Sequence, residues 1–418
     1  MARILLIAYT TYVHDGRVKR QAEALAVRGD HVDVICLDSG HNGVHDGVNV
    51  VGLKMPRYQG SSRSRYMSSY LRFFAKASWV ALRRSLVARY DIVIVCTMPD
   101  AAVLCALPAK MLGSRIVLDI HDTMPELYQD KFGGRRGAIL AKLLMLEERT
   151  SAGCADTVLA VHELHRARLI QAGVPAHKIR TVMNASDPAI FSATPSGQDR
   201  TDGVFTLACH GTVTRRLGLD IAIEAMALAR PRIPGLRMIV IGAGEYLETI
   251  RQLVVRKQLE ECVSFVDRVR INELPRLLAE ADVGLSPNRA SNASHLMLPV
   301  KLLDYVALGI PTIASRLRTI EHYFSERAVR FVEPGNVGEM AAAIEELYHD
   351  PARRAELALN ARSAAERIGW PVQRVEYYRV IDALLQKPPL RGPLRSAAGA
   401  VQQRETTEEE TKWSTGTR

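Results

Sequence analysis

The chain has 418 residues, of which 47% are hydrophobic, and a formal net charge of +10. That length predicts two domains or more with an ample core, and the basic balance suits an acidic partner: a phosphorylated ligand, an anionic membrane or nucleic acid. Six scattered cysteines without a C-x-x-C pair suggest neither a disulfide framework nor a zinc site, and predict reduced thiols in a cytosol.

Short apolar runs alternate with helical patterns from the start. "RILLIAY" predicts a first strand and is too short and unflanked for a signal peptide. "DGRVKRQAEALAVRG" predicts a helix stopped by Gly29. "HVDVICL", "VNVVGL", "DIVIVC", "RIVLDI" and "DTVLAV" supply further strands. Strand–helix alternation of this kind means a parallel sheet with helices on both faces.

The stretch 56–90 is rich in Arg and Lys and has no Asp or Glu. At helical spacing Arg72, Lys76 and Arg83 share one side, and Leu71, Phe74, Leu82 and Leu86 another, with Trp79 at the border. Residues 57–89 then read as a helix lying on anionic inner-leaflet lipid, or as a core-covering helix with a solvated basic side. No apolar run is long enough to span a bilayer. Aromatic residues make up only 6% of the chain and no recognition motif stands out, so nucleic acid is not expected as a partner.

In "IVLDIHDTMPELYQDKFGG" an apolar run ends at Asp119, and His121, Asp122 and Glu126 follow. The C-terminal ends of parallel strands are where open α/β sheets place their chemistry. His121 and Asp122, closing the fifth predicted strand, are therefore expected to point into a cleft.

From Asp187 to Val204 the chain turns rich in Ser, Pro, Gly and Asp, as in a linker. A second strand series follows: "FTLACHG", "LRMIVIG", "VSFVD", "DVGLSP" and "PTIAS". The expected organisation is an α/β domain over 1–190, a linker over 191–204 and a second α/β domain over 205–370. A helix over 371–386 is placed to cross back to the first domain, and a disordered tail covers 387–418. A cleft between two such domains is a favoured ligand site.

The second domain offers anion sites. Gly242 and Gly244 lie between a strand and a helix, where backbone N–H groups and the helix dipole can face a phosphate. Gly211 ends a strand, with Arg215 and Arg216 beside a following helix start near Gly218. In "LPVKLLDYVALGIPTIAS", Pro299 opens a helix on which Lys301 and Asp304 share a face, a cation for phosphate and a carboxylate for vicinal hydroxyls. Arg289 closes the preceding strand.

This last stretch resembles the donor-site helix of glycosyltransferase family 4, retaining enzymes of the GT-B fold. "DGRVKRQAEALAVRGDHVDVICL", "LDIHDTMPELYQDKFG", "HGTVTRRLGLDIAIEAM", "VGLSPNR" and "RFVEPGN" resemble a bacterial polysaccharide-biosynthesis branch of it, over about Arg3 to Leu385. The resemblance implies two Rossmann-like, doubly wound parallel-sheet domains facing a cleft. It also implies sugar transfer from a UDP- or GDP-linked donor to a glycan or polyprenyl-diphosphate-linked acceptor, without cofactor or metal, by a cytoplasmic protein peripheral on the inner face of the plasma membrane. By position, Gly211, Thr212, Arg216, Gly242, Gly244, Arg289, Lys301 and Asp304 would serve the donor. His121 and Asp122 would be catalytic, and Asp15, Arg17 and Glu126 would meet the acceptor.

The chain departs from the family pattern in three places. An acidic pair eight apart is reduced to Asp304, with Leu296 at the earlier position, and Thr212 and Leu217 replace basic residues. No Asp is followed two residues later by Asp, the pair on which the metal-dependent transferase fold relies. A sugar-nucleotide epimerase of the same fold and a non-catalytic nucleotide-binding partner fit the same pattern.

Overall fold

Apolar runs without polar alternation bury both of their faces, and here they become the strands of two parallel sheets. The computed structural model describes residues 1–40, 42–55, 63–97, 99–191 and 203–386. The expected tail, most of the expected linker and the start of the basic stretch lie outside the described residues.

The first sheet contains β1 (Arg3–Thr11), β2 (His31–Leu37), β3 (Gly43–His45), β4 (Val48–Leu53), β5 (Ile92–Cys96), β6 (Arg115–Ile120), β7 (Thr157–Ala160) and β8 (Ile179–Thr181). Their spatial order is β3-β4-β2-β1-β5-β6-β7-β8, with only β3 antiparallel to its neighbour. β6, which leads to His121, is thus sixth in the chain rather than fifth, because the three-residue hairpin strand β3 precedes it.

Alternate side chains of β1 serve two helical layers. Leu5 and Ile7 pack with Phe73, Ala77 and Ala81 of the helix Arg63–Val87. Ile4 and Leu6 pack with Val18, Ala22 and Leu25 of the helix Gly16–Val27. Each such aliphatic side chain, fully buried, contributes about 1.5–3 kcal/mol. The C-terminal helix Trp370–Leu384 joins this second layer through Trp370, Tyr377 and Ile381. Its Asp382 pairs with Arg28 at 2.7 Å, and Tyr378 donates to the Ala24 carbonyl at 2.6 Å. This helix follows the second domain in the chain but packs in the core of the first.

On the helix Arg63–Val87 the core stripe runs through Phe73, Ala77 and Ala81, and Phe74 and Leu82 are half-buried. Leu71, Trp79 and Leu86 stay exposed beside Arg72, Lys76 and Arg83, on a side of the helix away from that core stripe. Among the described residues no helix is long and apolar enough to cross a membrane.

The second sheet contains β9 (Phe205–His210), β10 (Leu236–Ile241), β11 (Val263–Val266), β12 (Val283–Ser286), β13 (Thr312–Ser315) and β14 (Arg330–Val332). All are parallel, in the order β11-β10-β9-β12-β13-β14. Strand order reverses beside β1 in the first sheet and beside β9 in the second. The crevice outside the strand ends at such a reversal is where doubly wound sheets bind ligands.

Candidate active site

A cavity of about 580 Å³ lies between the two domains. Asp15, Arg17, His121 and Asp122 line it from the first domain, and Thr212, Arg216 and Asp304 from the second. An adjoining cavity of about 120 Å³ shares Arg17, His121, Asp122 and Arg216 and reaches Leu296 and Val300.

The first-domain wall is built on two strand ends. After β1, Asp15 caps the helix Gly16–Val27, accepting from the N–H groups of Arg17 at 3.2 Å and Val18 at 3.3 Å. Burial works against the charge of Asp15, but Arg17, His121 and those two N–H groups hold its carboxyl below the usual range. After β6, His121 presents its ring at the same point. Its Nε2 lies 2.8 Å from Asp119 Oδ2, and Gln21 donates to that same oxygen at 2.8 Å. Burial would raise the Asp119 carboxyl, but His121, Gln21 and Arg17 outweigh it and keep it low. An ionised Asp119 accepts, so Nε2 carries the proton and Nδ1 is the nitrogen left for a substrate.

On the second-domain wall, Asp304 sits in the helix Val300–Ala307, which Pro299 caps. Its Oδ1 accepts from Ser186 Oγ at 2.5 Å, a residue of the segment leading out of the first domain. Burial raises the Asp304 carboxyl to about 7, against the opposing pull of Ser186 and Arg20. His210 Nε2 is 3.7 Å from Asp304 Oδ2, and burial holds that imidazole down at about 3, so it is neutral. Arg216 points from the loop after β9, its guanidinium 3.3 Å from Met297 Sδ.

Six of the expected residues lie off the lining of these two cavities. Glu126 does not face the cavity: it accepts from Arg168 Nε at 2.7 Å, and Arg168 also pairs with the buried Glu148. Arg289 does not line the cavity either: its Nη2 donates to Asp220 Oδ2 at 2.5 Å. Lys301 is buried, with Nζ 3.7 Å from Cys209 Sγ. The glycines Gly211, Gly242 and Gly244 lace two loops together rather than line the cavity. Gly242 has φ +141°, and a Cβ there would meet the Gly211 carbonyl oxygen at 2.0 Å. A Cβ at Gly244 would meet the Val213 carbonyl oxygen at 2.1 Å. Between these loops Val213 N–H donates to the Ala243 carbonyl at 3.0 Å.

Several residues of the cavity were not singled out in the sequence. Arg20 donates to Asn184 Oδ1 at 2.9 Å and stacks over Trp370, 4.8 Å from the ring centroid. Arg268 and Arg270 line the second-domain side just past β11. The strand-end rule that drew attention to His121 would have found them too.

Two Rossmann-like sheets facing one polar cleft define the GT-B class of glycosyltransferase folds. A glycosyl transferase 4-like domain model matches residues 16–185, and a model of glycosyl transferases group 1 matches residues 204–350; the chain belongs to this glycosyltransferase family. It is 25% identical over 213 residues to the amylovoran biosynthesis glycosyltransferase AmsK of Erwinia amylovora, covering 50% of this chain and 52% of that protein. It is 26% identical over 293 residues to a GDP-mannose-dependent alpha-(1-6)-phosphatidylinositol monomannoside mannosyltransferase of Mycobacterium tuberculosis, covering 67% of this chain and 72% of the relative. The match to the first of these relatives thus spans about half of its length. The HepE protein of Anabaena, solved in complex with UDP-glucose, superposes with a TM-score of 0.70 at 18% identity, over 92% of this chain and all of that one. That likeness is one of fold.

Proposed function

We propose that the protein is a retaining glycosyltransferase of polysaccharide biosynthesis. It takes a sugar from a UDP- or GDP-linked donor and places it on a glycan or polyprenyl-diphosphate-linked acceptor. The reading rests on one arrangement above all: His121 of the first domain, held by Asp119, and Arg216 with Asp304 of the second open onto a single cavity. The family match, the UDP-glucose bound to HepE and the biosynthetic role in the name of AmsK support it.

In this account the nucleotide lies on the second domain. Arg216 faces the diphosphate, where a guanidinium can make paired charged hydrogen bonds. Asp304 accepts from ribose hydroxyls, releasing Ser186 as it does so. The bond from the sugar C1 to the diphosphate oxygen breaks while a bond from C1 to the acceptor oxygen forms on the same face. The acceptor proton passes to the leaving phosphate oxygen, and the nucleoside diphosphate departs. His121 orients sugar and acceptor through Nδ1, and Asp15 and Arg17 lie on the acceptor side.

The transfer needs no metal in this reading. Cys96, Asp119 and His121 do bring three ligand-type atoms within 4.8 Å of one another. Burial keeps the Cys96 thiol protonated, Arg17 adds a positive charge beside it, and the His121 Nε2 is committed to Asp119. The residues suit a positioning group better than a cation site. Arg216 and the other cleft arginines then stabilise the leaving diphosphate. The acceptor's lipid surroundings would be met through the basic stretch 57–89, placing the protein peripherally on a membrane.

Thermal shift with UDP, GDP and their sugars tests this first. A ligand that binds only the folded state raises apparent stability by mass action. A shift with one nucleotide, followed by sugar turnover with its sugar conjugate, supports transfer; no shift with any of them overturns the reading.

A further inference from the structure

The helices Arg63–Val87 and Gly134–Cys154 lie in one layer over the same face of the first sheet. Phe73, Ala77 and Ala81 of the former and Ala152 of the latter share one core with Leu5 and Val93. Each also turns aliphatic or aromatic side chains outward. On the first helix Leu71, Trp79 and Leu86 are 59%, 60% and 67% exposed. At 100° per residue they fall within about 80° of one another, with Arg72, Lys76 and Arg83 in the adjoining arc of about 40°.

The second helix repeats the arrangement. Ile139, Leu143 and Leu146 are 53%, 58% and 59% exposed. By the same geometry they form a stripe about 60° wide, and the exposed Arg135, Arg136 and Lys142 flank it on both sides. Its acidic residues, Glu147 and Glu148, are turned inward: Glu148 is fully buried on Arg168 and Glu147 half-buried. An amphipathic surface helix normally turns its aliphatic stripe to the core and leaves the outside polar. Two helices over one face of the sheet that also carry an aliphatic stripe outward, each edged with cations, match the chemistry of an anionic lipid surface.

The place of the patch in the fold agrees. Tyr70 of the first helix lines the cleft and packs on Tyr9, ring centroids 4.8 Å apart. The second helix follows directly on Met124–Phe132, whose Asp130 accepts from the Ala293 N–H of the second domain at 2.9 Å. Both helices therefore start at the cleft end of the first domain.

We propose that these two helices together form a membrane-docking face, with the helix Gly134–Cys154 as its second half. The occupant is an anionic phospholipid surface that brings a lipid-linked acceptor to the cleft mouth. The inference rests on the functional reading above and extends it to residues that the basic stretch 57–89 does not contain.

The test is co-sedimentation of the full chain with phosphatidylcholine vesicles with and without phosphatidylglycerol. The protein is expected to bind the anionic vesicles, and salt to weaken that binding. Arg135→Glu with Arg136→Glu and Lys142→Glu should lower vesicle affinity by on the order of a hundred-fold, as three lost surface cations predict. A separate variant, Ile139→Ser with Leu143→Ser and Leu146→Ser, should lose binding with its charges intact. Both sets lie on exposed positions, and unchanged affinity for UDP or GDP certifies the fold. Full vesicle binding in both variants would overturn the two-helix face, even if reversing Arg72, Lys76 and Arg83 abolished it. A concentration-dependent dimer that the serine variant dissolves would assign the patch to a second copy and overturn the lipid reading. Loss of nucleotide binding by the wild-type chain would instead strike the transferase reading, leaving the lipid result to stand alone.

Discussion

His121 and Asp119 form a single buried unit, their side chains 2.8 Å apart and each only 3% exposed. Asp119 lies in β6 and His121 one residue past its end, and the bond from Nε2 to Asp119 Oδ2 holds the two side chains together. The consequence is a histidine with one nitrogen fixed and the other available.

That relationship predicts a split between turnover and binding. His121→Ala should leave UDP or GDP affinity nearly unchanged, since the nucleotide is placed on the other domain, while turnover collapses. Asp119→Asn should also spare affinity, and lower turnover by on the order of a hundred-fold through loss of ring orientation. Calorimetry paired with turnover is the check. Equal losses in both quantities would move His121 away from the donor sugar.

The two arginines near the second switch point should differ. Arg216 lines both cavities, so Arg216→Ala should weaken nucleotide binding by about 1.5–3 kcal/mol, the worth of a charged hydrogen bond. Arg289 is engaged by Asp220, so Arg289→Ala should cost less affinity than Arg216→Ala. Titration of the two variants side by side decides it, and a larger effect from Arg289 would reverse the assignment.

The carboxyl of Asp304 gives a pH signature. Its value in the folded chain is about 7 against an ordinary 3.8, because burial disfavours its charge. The folded state therefore holds a proton that the unfolded state releases between about pH 4 and 7. The contribution of Asp304 is fully present below that window and is lost as pH rises through it. Asp304→Asn, uncharged throughout, should show a flatter stability–pH curve over that window. Donor affinity should behave in the opposite sense: ribose hydroxyls prefer the ionised acceptor, so binding should tighten as pH passes about 7 in the wild type alone. Equal slopes in wild type and variant would remove Asp304 from both roles.

Chelation provides a fourth test. Turnover should persist in excess EDTA. Complete loss with recovery on magnesium or manganese would contradict the cationic stabilisation of the leaving group by protein side chains.

Much of this architecture could be read from the chain because the strands are apolar on both faces. "RILLIAY", "HVDVICL" and "FTLACHG" each have no other way to avoid water, and each is a strand. The short edge strands β3, β8 and β14, at three residues each, carry too few positions for a pattern and exist only because a neighbour offers its ladder. At the site, position along a strand located His121, Asp122 and Arg216. Pairing was not legible. Glu126 is four residues from Asp122, yet Arg168, forty-two residues on, takes it away from the cleft. Ser186 reaches Asp304 across 118 residues, a contact that only the docking of two domains creates. Gly242 and Gly244 are required by backbone approach between loops, a constraint that their spacing in the chain does not reveal.

The central claim is that one nucleoside-diphosphate sugar occupies the cleft between Arg216 and His121. Calorimetric titration of the wild-type chain with UDP-glucose and GDP-mannose, repeated with Arg216→Ala and His121→Ala, tests it most directly. The account predicts saturable binding of one of these or a related donor, weakened at least tenfold by Arg216→Ala and little by His121→Ala. Donor binding that is indifferent to Arg216, or no binding of any nucleotide sugar by a folded chain, would contradict it.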